Sequence, residues 1–392
     1  MKLMVIGLGQ CGGRIADGFA RLNARARGHR GIDIITGAFA VNTDVADLSG
    51  LSKVKPDCQH RILIGGRRTS GHGVGKIIEL GAEIAREDAD KVVDAIRWAR
   101  RCFETDAFLL AAGAAGGTGS GSIPIMAQHI KKRYGDKPMY ALIVLPFEHE
   151  EETEVRSVYN TATCLKSIYP VADAVFLVDN QRYIRKDFSL RNNLAKINAL
   201  IVEPFYDLLC AGEEEKPKHI AARMLDAGDI IQTLSGWTVI GHGKSSLPMI
   251  RFPLGGARNF REKITETHRG IEAMDEAISE LSVRCNLADS GRVLYLLTAP
   301  AKEMNMGLVK ELGDYLKELA PDAVIRNGDY PRQRGALDIT VILSQLSDVE
   351  KVRKYYEKSA SFFHEVRRKQ EAVERKLRKI EKAAEEIPSL LY

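Results

Sequence analysis

The sequence predicts an α/β protein: a parallel, doubly wound sheet joined through a long helix to a smaller α/β region. Three observations predict it. Short apolar runs of strand length alternate with longer stretches of helical periodicity through the first half of the chain. Glycine-rich or polar clusters close these runs just before the helices begin. The composition is that of an ordinary globular chain, with 392 residues, 45% hydrophobic and 28% charged, enough to bury a sizeable core.

In order, Leu3–Ile6 reads as a buried strand, GLGQCGGR as a loop, and Ile15–Leu22 as the start of a helix. Ile34–Val41 is a second strand, stopped at Asn42-Thr43-Asp44, and Arg61–Ile64 a third, followed by GGRRTSGHGVG. Lys76–Arg101 carries helical periodicity. Ala107–Ala112 is a strand that runs into GAAGGTGSG, and Ser122–Lys132 continues as helix. Tyr140–Leu145 and Ala174–Val178 are strands on either side of a helix over Glu151–Tyr169. Right-handed crossovers place all the strand-end loops on one edge of such a sheet, around one crevice. Ser189–Cys210 reads as a long helix, interrupted or stressed by Pro204. Beyond it come strands at Trp237–Ile240, Val293–Thr298, Ala323–Arg326 and Ile339–Leu343, and helices at Ala257–Ile278 and Asn305–Leu319. Asp348–Glu386 is strongly charged and helical, and the chain closes on IPSLLY. The expected divisions are 1–190, 191–233, 234–347 and 348–392.

Composition excludes several classes. A net charge of +5 without lysines interleaved with aromatics argues against a nucleic-acid partner. The six cysteines are scattered without a C-x-x-C pair, against a disulfide framework or a zinc site. No leader of the signal-peptide kind precedes the first strand, and no apolar run reaches the about 18 residues of a membrane crossing. A reducing cytosol fits.

Two loops carry chemistry. Gly7–Gly12 has the pattern G-x-G-x-x-G after a strand, where glycine admits the backbone to phosphate and a helix N-terminus supplies N–H donors. By itself this permits a dinucleotide fold and an oxidoreductase. Gly113–Gly121 holds five glycines in nine residues, with Thr118 and Ser120 between them, far more than a turn requires. Two such loops on one sheet edge suit a mononucleotide triphosphate. SGHGVGK at Ser70–Lys76 lacks the leading glycine of a P-loop and has Ile77 in place of the Ser/Thr that holds magnesium.

Together the loops resemble the tubulin/FtsZ superfamily, and their mixture of features most resembles its archaeal CetZ group. Gly113, Ala114, Ala115, Gly116, Gly117, Thr118, Gly119 and Ser120 are similar to the signature loop, with Ala115 where glycine is common. Gly9-Gln10-Cys11-Gly12, with Arg14, resembles the first tubulin loop, and Asn42 and Asp44 the second loop of FtsZ. Gly71-His72-Gly73 stands where the γ-phosphate-sensing loop belongs. Pro146-Phe147 opens a ribose loop whose glutamate matches Glu150, with Glu152 and Glu154 as alternative registers. Val178-Asp179-Asn180 resembles the segment whose asparagine contacts guanine, and Asn198 its counterpart on the central helix, with Asn192 and Asn193 nearby. The resemblance implies a GTPase with GTP or GDP as ligand. Mg²⁺ would be held by phosphates and water rather than by a protein metal site. Asp226 and Asp229, in MLDAGDI, stand where the family carries the acids that complete the neighbouring subunit's site, and Met224 replaces the usual asparagine. It further implies a head-to-tail homopolymer, a cytoskeletal role in cell shape, and a cytoplasmic place that extends to the inner face of the envelope. The C-terminal segment would be the surface for a cytoskeletal or membrane-adaptor partner. The alternative within the same fold, kept open by Met224, is a weakly hydrolysing regulator or scaffold.

Overall fold

The computed structural model describes residues 1–184, 190–216, 219–247, 260–332 and 335–361. In chain order the elements are β1 (Leu3–Leu8), α1 (Gly9–Arg30), β2 (Ile35–Asn42), α2 (Val45–Ser49), β3 (Arg61–Leu63), α3 (Gly66–Thr69), α4 (Ile78–Glu87) and α5 (Ala89–Arg97). Next come β4 (Ala107–Gly113), α6 (Thr118–Arg133), β5 (Met139–Leu145), α7 (Glu148–Thr153), α8 (Val155–Ile168), β6 (Ala174–Asp179), α9 (Leu190–Val202) and α10 (Pro204–Ala211). The remainder are α11 (Ala227–Thr233), β7 (Gly236–Ser246), α12 (Phe260–Ser279), β8 (Ser290–Ala299), α13 (Met306–Leu319), β9 (Val324–Pro331), β10 (Ala336–Leu346) and a last helix, α14, over 350–361.

All ten strands form one sheet in the order β3-β2-β1-β4-β5-β6-β7-β10-β8-β9. Every pairing is parallel except those of β10 with β7 and β8. The sheet is covered on both faces, so its central strands are apolar on both sides rather than alternating with polar residues. In β1, Met4, Ile6 and Leu8 enter the core beneath α4, α5, α6 and α8, while Leu3 and Val5 enter the core beneath α1, α9 and α10.

Local chemistry breaks three predicted helices, the third of them at the expected proline. Lys76–Arg101 is two helices, broken at Asp88, whose carboxylate accepts from Gly65 N at 2.7 Å and so ties the break to the β3 loop. Glu151–Tyr169 is α7 and α8, broken at Glu154, whose backbone is extended. The central helix breaks at Glu203, and Pro204 begins α10, where its missing N–H costs nothing. The strands of the second half are longer than predicted, because β7, β9 and β10 extend into polar residues such as His242, Asn327 and Asp338 that local hydrophobicity does not mark as strand. The predicted helix of the charged C-terminal segment is described to residue 361; its remainder, with IPSLLY, lies outside the described residues.

Candidate functional site

The carboxyl ends of β1, β2, β4, β5 and β6 open onto a cavity of about 350 Å³, within the range of small-ligand sites. One half is backbone. Gly9 starts α1 with φ +70°, and a Cβ there would lie 2.8 Å from Gly119 N, so glycine lets the first loop touch the run Gly113–Gly121, the fourth loop after Asn42–Asp44 (second) and Gly71–Ile77 (third). Gly117 stands as close to the third loop, its added Cβ 2.8 Å from Ile77 N. The whole run Gly113 to Gly119, with Ala114, Ala115, Gly116 and Thr118, lines the cavity, and α1 and α6 both begin there. Neither helix has an acidic residue in its first turn. Two positive helix ends and exposed backbone N–H groups face one space, which is an anion site by construction.

The loops are cross-tied. Thr43 Oγ1 and Thr118 Oγ1 share a hydrogen bond of 2.6 Å, joining the second loop to the fourth. Gly73 N donates to Thr43 O and Val45 N to Gly71 O, both at 3.1 Å, zipping the third loop onto the second. Asp44 caps α2, accepting from Ala46 N and Asp47 N. Asp47 accepts from Gln10 Nε2 at 2.6 Å and from Asn42 Nδ2 at 3.0 Å, a bridge between the ends of β1 and β2. Glu150 accepts from Phe147 N at 3.1 Å and so holds the start of α7 against the cavity. Desolvation pushes the half-buried Cys11 thiol up to about 12, against the opposing pull of Arg14. It stays protonated, which makes it a wall and not a nucleophile.

The far end of the cavity is amide and aliphatic. Asn180, Leu194 and Asn198 line it, the last two four residues apart on one face of α9. Asn180 Oδ1 is buried without a hydrogen-bond partner among the described residues. A buried, unpaired acceptor on a cavity wall is what a ligand's N–H would satisfy.

Most of the predicted binding residues are thus walls of one cavity: Gly9, Gln10, Cys11, Arg14, Asn42, Asp44, Gly73, the run 113–119, Glu150, Asn180 and Asn198. Four are not. Gly12 lies behind, packed so close to β4 that a Cβ would meet Ala111 O at 2.0 Å. Ser120 is buried below the loop and donates to Gly116 O. Gly71 is buried against Val45, and the His72 side chain is exposed beside the opening. The side chains of Asn192 and Asn193 lie outside the described residues. Asp226 and Asp229 are elsewhere: α11 leads into the amino end of β7, which pairs with the amino end of β6. They therefore stand on the edge of the sheet opposite the cavity. Asp226 caps α11, accepting from Asp229 N at 2.8 Å, and Asp229 Oδ1 lies 3.8 Å from Arg326 Nε. Met224 beside them is 43% exposed.

Residues 2–186 match the description "Tubulin/FtsZ family, GTPase domain", and residues 187–361 match "Tubulin-like CetZ, C-terminal domain". The tubulin-like protein CetZ1 of Haloferax volcanii is 32% identical over 370 residues, spanning 90% of each chain. This chain belongs to the CetZ group of the tubulin/FtsZ family. Two solved CetZ structures share its fold. The GDP-bound monomer of CetZ1 from Haloferax volcanii superposes with a TM-score of 0.79 at 29% identity, over 92% of this chain and 99% of that one. The GTPγS-bound protofilament of CetZ2 from the same organism also gives 0.79, at 26% identity, over 94% and 100%.

Within this CetZ-family cavity, sequence reasoning missed Asp47, Lys76 and Leu194 as walls. Leu194 was within reach, since it lies one helical turn from Asn198. Asp47 carried no motif; its role follows from the two amides that converge on it. Lys76 ends the P-loop-like string; it lines the cavity on a left-handed backbone, φ +61°, and its Nζ pairs with Glu154.

Proposed function

We propose that this protein binds GTP in the loop cavity and hydrolyses it when a second subunit closes over the opening. The observation that carries this is one cavity with a backbone anion cradle at one end and an unpaired buried amide oxygen, Asn180 Oδ1, at the other. Phosphates belong at the first and a base N–H at the second. Arg14 and Lys76 are the cations on its walls. Of the carboxylates there, Asp44 and Glu150 are engaged in capping and Asp47 in bridging. Mg²⁺ therefore fits best on the phosphates and water, where it would neutralise charge as the terminal phosphate leaves.

The remaining residues of the reaction are Asp226 and Asp229, brought by the adjacent subunit. Their position on the opposite edge of the sheet supports a heterologous, head-to-tail contact, which propagates as a filament. Their work would be to orient water and stabilise charge, not to attack. The GTPγS-bound protofilament of CetZ2 supports assembly into filaments. The family supports a cytoskeletal role, which we extend to control of cell shape, in the cytoplasm and at the inner face of the envelope, with an adaptor docking on the C-terminal segment. No helix among the described residues is long and apolar enough to cross a membrane. Functionally the chain divides into nucleotide-binding 1–190, the central helix and acid loop 191–233, the C-terminal domain 234–347 and an extension 348–392. The exposed Met224, where family members carry a polar residue, favours slow, assembly-dependent turnover.

Right-angle light scattering with GTP, GDP and ATP, with phosphate release followed in parallel, tests this. Scattering should rise with GTP alone, and release should rise more steeply than protein concentration. Release strictly proportional to concentration, with no scattering, would overturn the filament mechanism.

A further inference from the structure

Behind the phosphate loops, outside the cavity wall, stands Asn160 of α8, fully buried. Its Nδ2 donates to Gly116 O at 2.9 Å, to Ala115 O at 3.1 Å and to Lys76 O at 2.9 Å. Two hydrogens serve three carbonyls, so one is shared. The three carbonyls also fix which way the amide faces, since Oδ1 turned toward them would be repelled. Oδ1 itself is buried and has no partner among the described residues. The amide therefore satisfies three loop carbonyls at the cost of one unpaired acceptor of its own, so its role has to be separated from plain stability by what it does to ligand binding.

What the donor does follows from peptide geometry. The peptides are trans, so the N–H after each carbonyl points the opposite way. Capturing Ala115 O and Gly116 O from behind aims the N–H groups of Gly116 and Gly117 forward, into the cavity both residues line. Ser120 Oγ pulls on Gly116 O as well. The third carbonyl belongs to the other side of the cradle. Lys76 holds a left-handed backbone that a non-glycine residue adopts only under constraint. Arg156, four residues before Asn160 and on the same face of α8, donates from Nε to the same Lys76 carbonyl at 3.1 Å.

We propose that Asn160 is a positioning residue for phosphate binding: its side-chain amide, from behind, orients the backbone of the fourth loop and of Lys76 at once. It touches no ligand itself. The inference rests on the nucleotide reading above, and it says which part of the nucleotide is affected. Loss of Asn160 should weaken the phosphates' hold and leave the base end of the cavity untouched, because Asn180, Leu194 and Asn198 belong to other elements.

The test uses the full chain below its assembly concentration, with GTP, GDP and GMP competing against a fluorescent guanine nucleotide. Asn160→Leu keeps the volume and removes the donor; Asn160→Ser keeps one shorter donor. For Asn160→Leu we expect GTP affinity to fall about tenfold or more, and GMP affinity to change less than about twofold. Asn160→Ser should fall between Asn160→Leu and the unmodified chain. Circular dichroism and thermal melting without nucleotide confirm that each variant is folded. If Asn160→Leu does not fold, Asn160→Ser carries the test by the same GTP-to-GMP ratio. Unchanged GTP affinity in a folded variant overturns the inference. So does an equal loss for GTP and GMP, the signature of a merely structural role. If the unmodified protein binds no guanine nucleotide, the underlying reading falls and takes this one with it.

Discussion

Asp229 shows how little a residue's chemistry says until its place is known. It is the third residue of α11, its backbone N–H is satisfied by Asp226, and its carboxylate is partly exposed near Arg326. Among the described residues it is not a wall of the loop cavity. Asp229→Ala should therefore leave GTP affinity of the monomer within about twofold and slow turnover in the assembled state by more than about tenfold. Equilibrium binding and steady-state phosphate release on the same preparation check this, and loss of binding by the isolated monomer would refute the cross-subunit role. At the same scale, the loop glycines were legible because each answers a local need, an unusual φ or a close approach. Asp47, Lys76 and Asn160 were not. Their roles depend on partners as far as 84 residues away, as in the bond from Asn160 to Lys76 O.

Elements hold those residues in place through a few buried polar anchors, and Asp17 is the plainest. It sits on α1, almost fully buried, and accepts from Ser52 N and Val54 N at 2.9 Å, from Ser52 Oγ at 2.8 Å and from Lys53 N. These bonds pin the segment after α2 to α1. Burial pushes the Asp17 carboxyl upward, but the hydrogen bonds from residues 52–54 outweigh it and hold it below the usual carboxylate range. A depressed carboxylate stabilises the fold above its unfolded value of about 3.9, and that contribution is lost as pH falls through the lower folded value. Asp17→Asn should cost about 2 kcal/mol at pH 7, with the gap to the unmodified protein narrowing below about pH 4. Urea melts at pH 7 and pH 3 measure both, and an equal gap at the two values would show that charge is not the reason. The broken helices belong to this scale too. Periodicity predicted one helix over 76–101, and the Asp88 carboxylate, reaching back to Gly65, made it two.

For the whole molecule, the decisive feature is that the cavity and the two acids occupy opposite edges of one sheet. On the proposed mechanism neither edge is a complete site. Mixing two defective subunits tests this. Asp229→Ala has a sound cavity and a missing acid. Gly116→Phe has sound acids and a blocked cavity, and its Cβ would meet nothing within 4 Å, so the loop itself need not be disturbed. In a random copolymer about a quarter of the contacts would pair a sound cavity with sound acids. Phosphate release from the equal mixture should exceed the sum of the two variants alone. A mixture that merely adds up would mean that no site is shared between subunits.

The sequence by itself determined the alternation of strand and helix, the crossover edge on which the loops gather, and the backbone cradle. All three rest on local properties: residue period, glycine freedom and strand-end punctuation. It also held the pair Asp226 and Asp229, but only as letters in a familiar position. Tertiary structure decided that the smaller region continues the same ten-stranded sheet, through an antiparallel β10 that no local pattern announces. It decided that Gly12, Gly71 and Ser120 support the cavity from behind rather than wall it. It placed a buried asparagine at the back of the phosphate loop, because which face of α8 packs there depends on the whole sheet and not on α8 alone. The glycine run made the cradle possible; the packing behind it determined which way its N–H groups face.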